Sequence, residues 1–249
     1  MARVRATLED AGKILAGSLL PVIDFIYPPR CPACGTGIGA QTGLCLDCWT
    51  ALEVSELTLG EAGQIIAATS YCAISRKLVL AFKHGRKIAL APLLAKLIAA
   101  KLGEPQPERL IVPVPLHPSR LWQRGYNQSA LLARELAKLG HGRLLVDGLQ
   151  RVKRTPSLDH RSKEERRALL AGAIQVKPKH QARLRRASVL LVDDVLTSGA
   201  TTGACKAALR DSDVGRVTIA CFARVSGAAR SNSTPLTTDA RDQLIPGAA

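Results

Sequence analysis

Ser188-Val-Leu-Leu-Val-Asp-Asp-Val-Leu-Thr-Ser-Gly-Ala-Thr-Thr202 is the stretch that decides the fold. Val189 to Val192 form a short apolar run bounded by turn residues, which reads as a fully buried strand of a parallel sheet. Ligands of such sheets bind in the crevice outside the strand's carboxyl end. The run leads into Asp193 and Asp194, then into a small-residue loop, Thr197-Ser198-Gly199-Ala200-Thr201-Thr202, that opens a predicted helix. Backbone N–H groups and hydroxyls in such a loop suit a phosphate at a helix N-terminus. A phosphate alone does not call for two carboxylates beside it. Together they suit a ligand that carries both a phosphate and a sugar diol.

Composition sets outer bounds. The chain has 249 residues, 47% hydrophobic, enough for a sizeable core. Aromatic content of only 3% predicts a core of Leu, Val, Ala and Ile. The formal charge of +15 and a pI near 10.0 favour anionic partners. No apolar run reaches the length of a membrane span. Glu9, Asp10 and Lys13 interrupt any signal-peptide core, so the reading is a cytoplasmic protein. In a reducing compartment its seven cysteines are metal ligands or buried thiols rather than disulfides.

Four of those cysteines have a metal-site spacing: Cys31-x2-Cys34, ten residues, then Cys45-x2-Cys48. Each CxxC turn aims two sulfurs the same way, and the intervening glycines allow a tight reversal. With no His or acid in the set, the expectation is a structural zinc site within a module spanning 30–60. Cys72, Cys205 and Cys221 sit among apolar residues and read as core.

Before this module, residues 6–27 read as an amphipathic helix, part of an N-terminal segment 1–29 ended by Pro28-Pro29. After it, 64–74 reads as a strand, Ser75 as an N-cap, and 88–102 as an apolar helix with Pro92 in its first turn. The break at 103–107 places the main α/β unit at 109–225, with 64–102 as a hood packed on it. Arg109 to Val114 reads as a strand followed by a loop, Pro115 to Tyr126. In that loop Arg120 and Arg124 are candidates for a pyrophosphate. Trp122 and Tyr126, interleaved with those arginines, offer a local nucleic-acid platform. Leu144 to Leu149 reads as a strand. From Arg143 to Arg186 there are 13 Lys and Arg against 4 Asp and Glu, a net of +9. This is the signature of a basic loop, and Lys153 and Arg154 are its candidates to close over a polyphosphate. Residues 201–212 read as a helix, 216–224 as the last strand, and 226–249 as a disordered tail.

The opening stretch resembles the signature of type I phosphoribosyltransferases over 13 residues, Val189 to Thr201: four apolar residues, Asp-Asp, two apolar residues, Thr-Ser-Gly-x-Thr. That resemblance implies that Asp193 and Asp194 hold the ribose hydroxyls of phosphoribosyl pyrophosphate (PRPP), bound with Mg²⁺. It implies that Val195, Leu196, Thr197, Ser198, Gly199, Ala200 and Thr201 form the loop around its 5′-phosphate.

The whole order of elements is similar to the ComF family, which includes GntX-like members. The carriers are Pro28-Pro29-Arg30-Cys31, Cys45-x-x-Cys48-Trp49, Phe82-Lys83-His84-Gly85, Val112-Pro113-Val114-Pro115-Leu116-His117-Pro118, Arg124-Gly125-Tyr126-Asn127-Gln128 and Arg154-Thr155-Pro156-Ser157. Leu158 and Ala168-Leu169-Leu170 depart from the family pattern. The resemblance implies an α/β type I phosphoribosyltransferase-like parallel sheet flanked by helices, behind an N-terminal zinc ribbon. It also implies PRPP or another sugar phosphate as ligand and a link to the DNA-uptake machinery of natural transformation; the +15 charge and the zinc ribbon favour single-stranded DNA as a further partner.

Overall fold

The computed structural model describes residues 27–55, 58–60, 63–85, 87–153 and 163–225. The expected helix at 6–27, Arg154 and the tail from 226 lie outside the described residues, apart from Tyr27 at the helix end.

Two CxxC turns and a short helix, α1 (Leu46–Thr50), begin the described chain. Strands β1 (Thr58–Gly60) and β2 (Gly63–Ser70) follow, then helices α2 (Ala73–Lys83) and α3 (Ala91–Leu102). Strand β3 (Leu110–Pro113) leads to α4 (Pro118–Arg124), α5 (Gln128–Lys138), β4 (Arg143–Leu144) and β5 (Leu149–Arg151). The chain continues through α6 (Lys163–Leu170), β6 (Ile174–Val176), α7 (Gln181–Leu184), β7 (Ser188–Leu196), α8 (Ala200–Arg210) and β8 (Arg216–Arg224).

Six strands form one sheet in the order β1-β2-β8-β7-β3-β4, all parallel except the edge strand β1. Strand β7 lies between β8 and β3, which explains its unbroken apolar run: both faces are covered, and Val189 to Val192 are at most 1% exposed. Successive side chains point to opposite faces. Leu190 and Val192 join Ile66, Phe82, Ile98, Leu132 and Phe222 under α2, α3 and α5. Val189 and Leu191 join Leu110, Leu184, Cys205, Leu209 and Cys221 under α7 and α8. Cys205 and Cys221 are core thiols, as their apolar surroundings suggest. Truncating Leu190 or Leu191 to Ala would cost about 2–5 kcal/mol.

Several elements differ from the sequence reading, each for a local reason. The segment expected to be a hood gives its own strand to the sheet: β2 pairs with β8 from Ile65↔Ile219 to Ser70↔Arg224. The N-cap of α2 is Cys72, not Ser75; Ser75 sits at the third helical position, where its Oγ accepts from the Cys72 N–H at 2.8 Å. Within the expected loop Pro115 to Tyr126, residues 118–124 are helical. Pro118 starts this helix, His117 Nδ1 accepts from the Ser119 N–H at 3.2 Å, and Gly125 ends it with φ of 81°. Leu144 to Leu149 is not one strand. It turns at Asp147-Gly148, and β5 leaves to pair with β6 in a separate two-stranded sheet. Part of the expected basic loop is likewise ordered as α6 and β6.

Candidate functional site

The connection after β3 runs to β4 on one side of the sheet, and the connection after β7 runs to β8 on the other. Two neighbouring strands whose connections part in this way leave a crevice beyond their carboxyl ends. Asp193 and Asp194 occupy that position on β7, and Val114 to His117 occupy it on β3.

The two acids are held differently. Asp194 is 8% exposed; its Oδ1 accepts from the Val195 N–H at 2.7 Å, and its Oδ2 lies 3.1 Å from Lys83 Nζ. Asp193 Oδ1 accepts from the Ser129 hydroxyl at 3.1 Å and from the Asp194 N–H at 2.9 Å. Burial, and after it the adjacent Asp194 charge, push the Asp193 carboxyl up to about 7. Lys83 and the two hydrogen bonds pull the other way without reversing the shift. Two adjacent carboxylates in a partly dry crevice form a site that gains from hydroxyl donors and from cations.

Beyond them the chain turns through Thr197 and Ser198 to Gly199, which caps α8 with φ of 74°. A Cβ there would meet nothing nearer than Thr202 Oγ1 at 3.9 Å, so backbone angle rather than space calls for glycine. The first N–H groups of a helix have no intrahelical carbonyl, and here they open beside the acid pair. Thr197 is exposed, Ser198 and Thr201 are partly buried, and Thr202 is turned inward to donate to the Gly199 carbonyl at 3.0 Å.

Of the cations expected at the site, Arg124 lies beside the acid pair. Arg124 is partly buried, donates to Gln128 Oε1 at 3.4 Å, and lies close enough to Asp194 for their charges to interact. Arg120 is exposed and near Arg124. Lys153 turns to the carbonyl of Ala171 at 3.2 Å, at the end of α6. Trp122 is 90% exposed, whereas the Tyr126 hydroxyl donates to the Phe82 carbonyl and its ring lies 6.3 Å from that of Phe82. The Tyr126 ring is thus set against Phe82, while Trp122 faces solvent.

The structure adds residues that sequence reasoning did not assign to the site. Lys83, at the end of α2, reaches Asp194 from 111 positions away in the chain. His84 follows it, its imidazole held below the usual value by burial and then by the Arg124 and Lys83 cations. Ser129 binds Asp193, and Arg151 on β5 lies near Arg120. Their basic and hydroxylic character was visible in the sequence; their convergence depends on topology, for which no spacing rule exists.

A second site lies in the N-terminal module. The sulfurs of Cys31, Cys34, Cys45 and Cys48 all fall within 4.8 Å of one another. Four thiolates about 2.3 Å from a common zinc would be about 3.8 Å apart, so the donor set fits that ion closely. The first turn is closed by Gly35 N–H to the Cys31 carbonyl at 2.8 Å, with Gly35 at φ of 83°. Cys45 caps α1, which places Cys48 one turn on. Contacts with Thr36 bring the Cys34 thiol down to about 6, whereas burial and the neighbouring thiols raise Cys48, so a metal must offset the cost of ionising the set.

A family model described as a double zinc ribbon domain matches residues 22–73. The DNA utilization protein YhgH of Escherichia coli K12 is 26% identical over 208 residues, covering 78% of this chain and 89% of its own length. Competence protein F of Haemophilus influenzae is 36% identical over 115 residues, 46% of this chain and 49% of its own. The chain resembles both of these proteins. Its four cysteines lie within the segment that matches the zinc ribbon model. A hypoxanthine phosphoribosyltransferase from Staphylococcus aureus aligns over 60% of this chain and 71% of the enzyme, at 16% identity and a TM-score of 0.37. Among the described residues, no helix is long and apolar enough to cross a membrane.

Proposed function

We propose that this chain binds PRPP with Mg²⁺ in the crevice beyond β7 and β3, and transfers its phosphoribosyl group to an acceptor with release of pyrophosphate. The observation that carries this reading is the acid pair Asp193-Asp194 directly followed by the Gly199 turn into α8. The pair suits a vicinal diol, and the turn suits a 5′-phosphate. Asp193 and Asp194 would accept from the ribose hydroxyls, while Thr197 to Thr201 would donate to the phosphate. Arg120 and Arg124 would face the diphosphate. Bound Mg²⁺ would neutralise the leaving diphosphate. The chain's own part is positioning and electrostatic: it orients the sugar and spreads positive charge where pyrophosphate departs. A pyrophosphate-release assay over a panel of bases and nucleotides tests transfer. Release above the no-acceptor rate, abolished in Asp194→Asn, is the expected result; no release with any acceptor would restrict the site to binding.

A second reading is favoured by specific observations. Relatives bear the names DNA utilization protein and competence protein, the chain carries +15, and Trp122 stands 90% exposed between Arg120 and Arg124. In this reading the chain binds single-stranded DNA in the setting of DNA uptake, with PRPP as a regulatory ligand. Such binding should weaken steeply with salt and weaken further in Trp122→Ala. Affinity unmeasurable at physiological salt would remove it.

A further inference from the structure

Lys83 is the last residue of α2, and its side chain is 24% exposed where it meets Asp194. The same helix end is fastened a second time, through the Tyr126 hydroxyl on the Phe82 carbonyl. One tie is neutral and the other ionic. The ionic tie sits on a particular oxygen: Asp194 Oδ1 is taken by the Val195 N–H, and Oδ2 is the oxygen that Lys83 covers. A hydroxyl approaching Asp194 from the crevice meets the space that the ammonium holds. An ammonium has three donors on a flexible stem and no fixed fork, so it can change partner without moving the backbone. Arg124, which acts on the same Asp194 and on His84, places further positive charge in that crevice.

We propose, resting on the PRPP reading above, that Lys83 is an exchangeable positioning residue: the ribose diol displaces it from Asp194, and it then pairs with the ligand's diphosphate. The end of α2 thereby senses whether a complete ligand is bound. A sugar phosphate without a diphosphate would break the ionic tie and offer nothing in return. PRPP would break it and replace it.

Ribose 5-phosphate and PRPP separate these cases, because they share the diol and the 5-phosphate and differ in the diphosphate. In the wild-type chain, hydrogen exchange at residues 80–85 should quicken with ribose 5-phosphate and slow with PRPP and Mg²⁺. In Lys83→Met at pH 8, ribose 5-phosphate should bind at least as tightly as to wild type, and PRPP about tenfold more weakly, while Lys83→Arg keeps most of the PRPP affinity. Exchange that shifts the same way with both ligands overturns the proposal. So does a Lys83→Met variant that weakens both ligands equally, as a purely structural role would. If neither ligand binds wild type, the PRPP reading falls and takes this inference with it. If both bind wild type and neither binds Asp194→Asn, while Lys83→Met leaves their ratio unchanged, only the role of Lys83 falls.

Discussion

The ribbon and the crevice are built by opposite means. The ribbon's four sulfurs come from 18 consecutive residues, Cys31 to Cys48, and two short turns bring them within 4.8 Å. The crevice draws Lys83 from a helix end, Ser129 from the first turn of α5, and its acids from a central strand. A local site needs little beneath it except its metal. A long-range site needs the whole sheet in register before any two of its groups meet. The comparison teaches that stability and ligand binding in this chain can be removed separately.

The largest separation should come from the metal. Zinc-linked folding in isolated finger peptides is worth about 10–16 kcal/mol near neutral pH. Cys31 and Cys48, 2% and 4% exposed, are the ligands with least chance of replacement by water. Cys48→Ser or strong chelation is expected to drop zinc well below one ion per chain and to open residues 30–52 to protease. The sheet's own thermal transition should survive. Loss of both transitions together would show that the ribbon and the sheet fold as one unit.

The next effect concerns ligand alone. Hydrogen bonds to charged groups contribute about 1.5–3 kcal/mol each. Asp194→Asn should therefore weaken PRPP by roughly tenfold to a hundredfold, with the zinc content unchanged. The wild-type affinity should also depend on pH through Asp193. Burial and the Asp194 charge push its carboxyl up to about 7, and the ionised form is the better acceptor, so affinity should rise from pH 6 to 8 and then level. A flat profile measured by calorimetry across that range would break this assignment.

Much of this was legible in the sequence, and the missing parts have physical causes. The buried strand, the acid pair, the Gly199 turn and the four-cysteine spacing are each local patterns that a short window contains. The helix at 118–124 also had its signals, Pro118 at the start and Gly125 at the stop, but the prolines around it suggested a loop. Asp147-Gly148 marked a turn that the apolar run Leu144 to Val146 masked. Lys83 is different in kind. Nothing near it in the chain indicates that α2 ends against β7, because that contact follows from β2 pairing with β8 and carrying α2 over the same face.

A smaller effect runs against the usual direction for an active-site change. Asp193 has a folded-state value above its unfolded one, so between about pH 4 and 7 the folded chain holds the extra proton, and stability falls as pH rises through that window. Above it the charge is buried at a cost. Asp193→Asn should therefore raise the ligand-free Tm at pH 8, by roughly 2–4 °C per kcal/mol recovered, and give little gain near pH 4. A variant less stable at pH 8 would show that the Ser129 hydrogen bond outweighs the buried charge. Smallest of all, Tyr126→Phe removes one hydrogen bond to Phe82 and keeps the ring contact. It should cost about 0.5–1.5 kcal/mol in a denaturant titration, with no change in zinc.

The central claim is that the acid pair at the end of β7 is a sugar-phosphate site. A calorimetric titration of PRPP with Mg²⁺ at pH 8 tests it most directly, run on wild type and on Asp193→Asn/Asp194→Asn with equal zinc content. Wild type should show saturable one-site binding, and the double variant a loss of at least about a hundredfold. Equal binding to both proteins, or none to wild type, would contradict it.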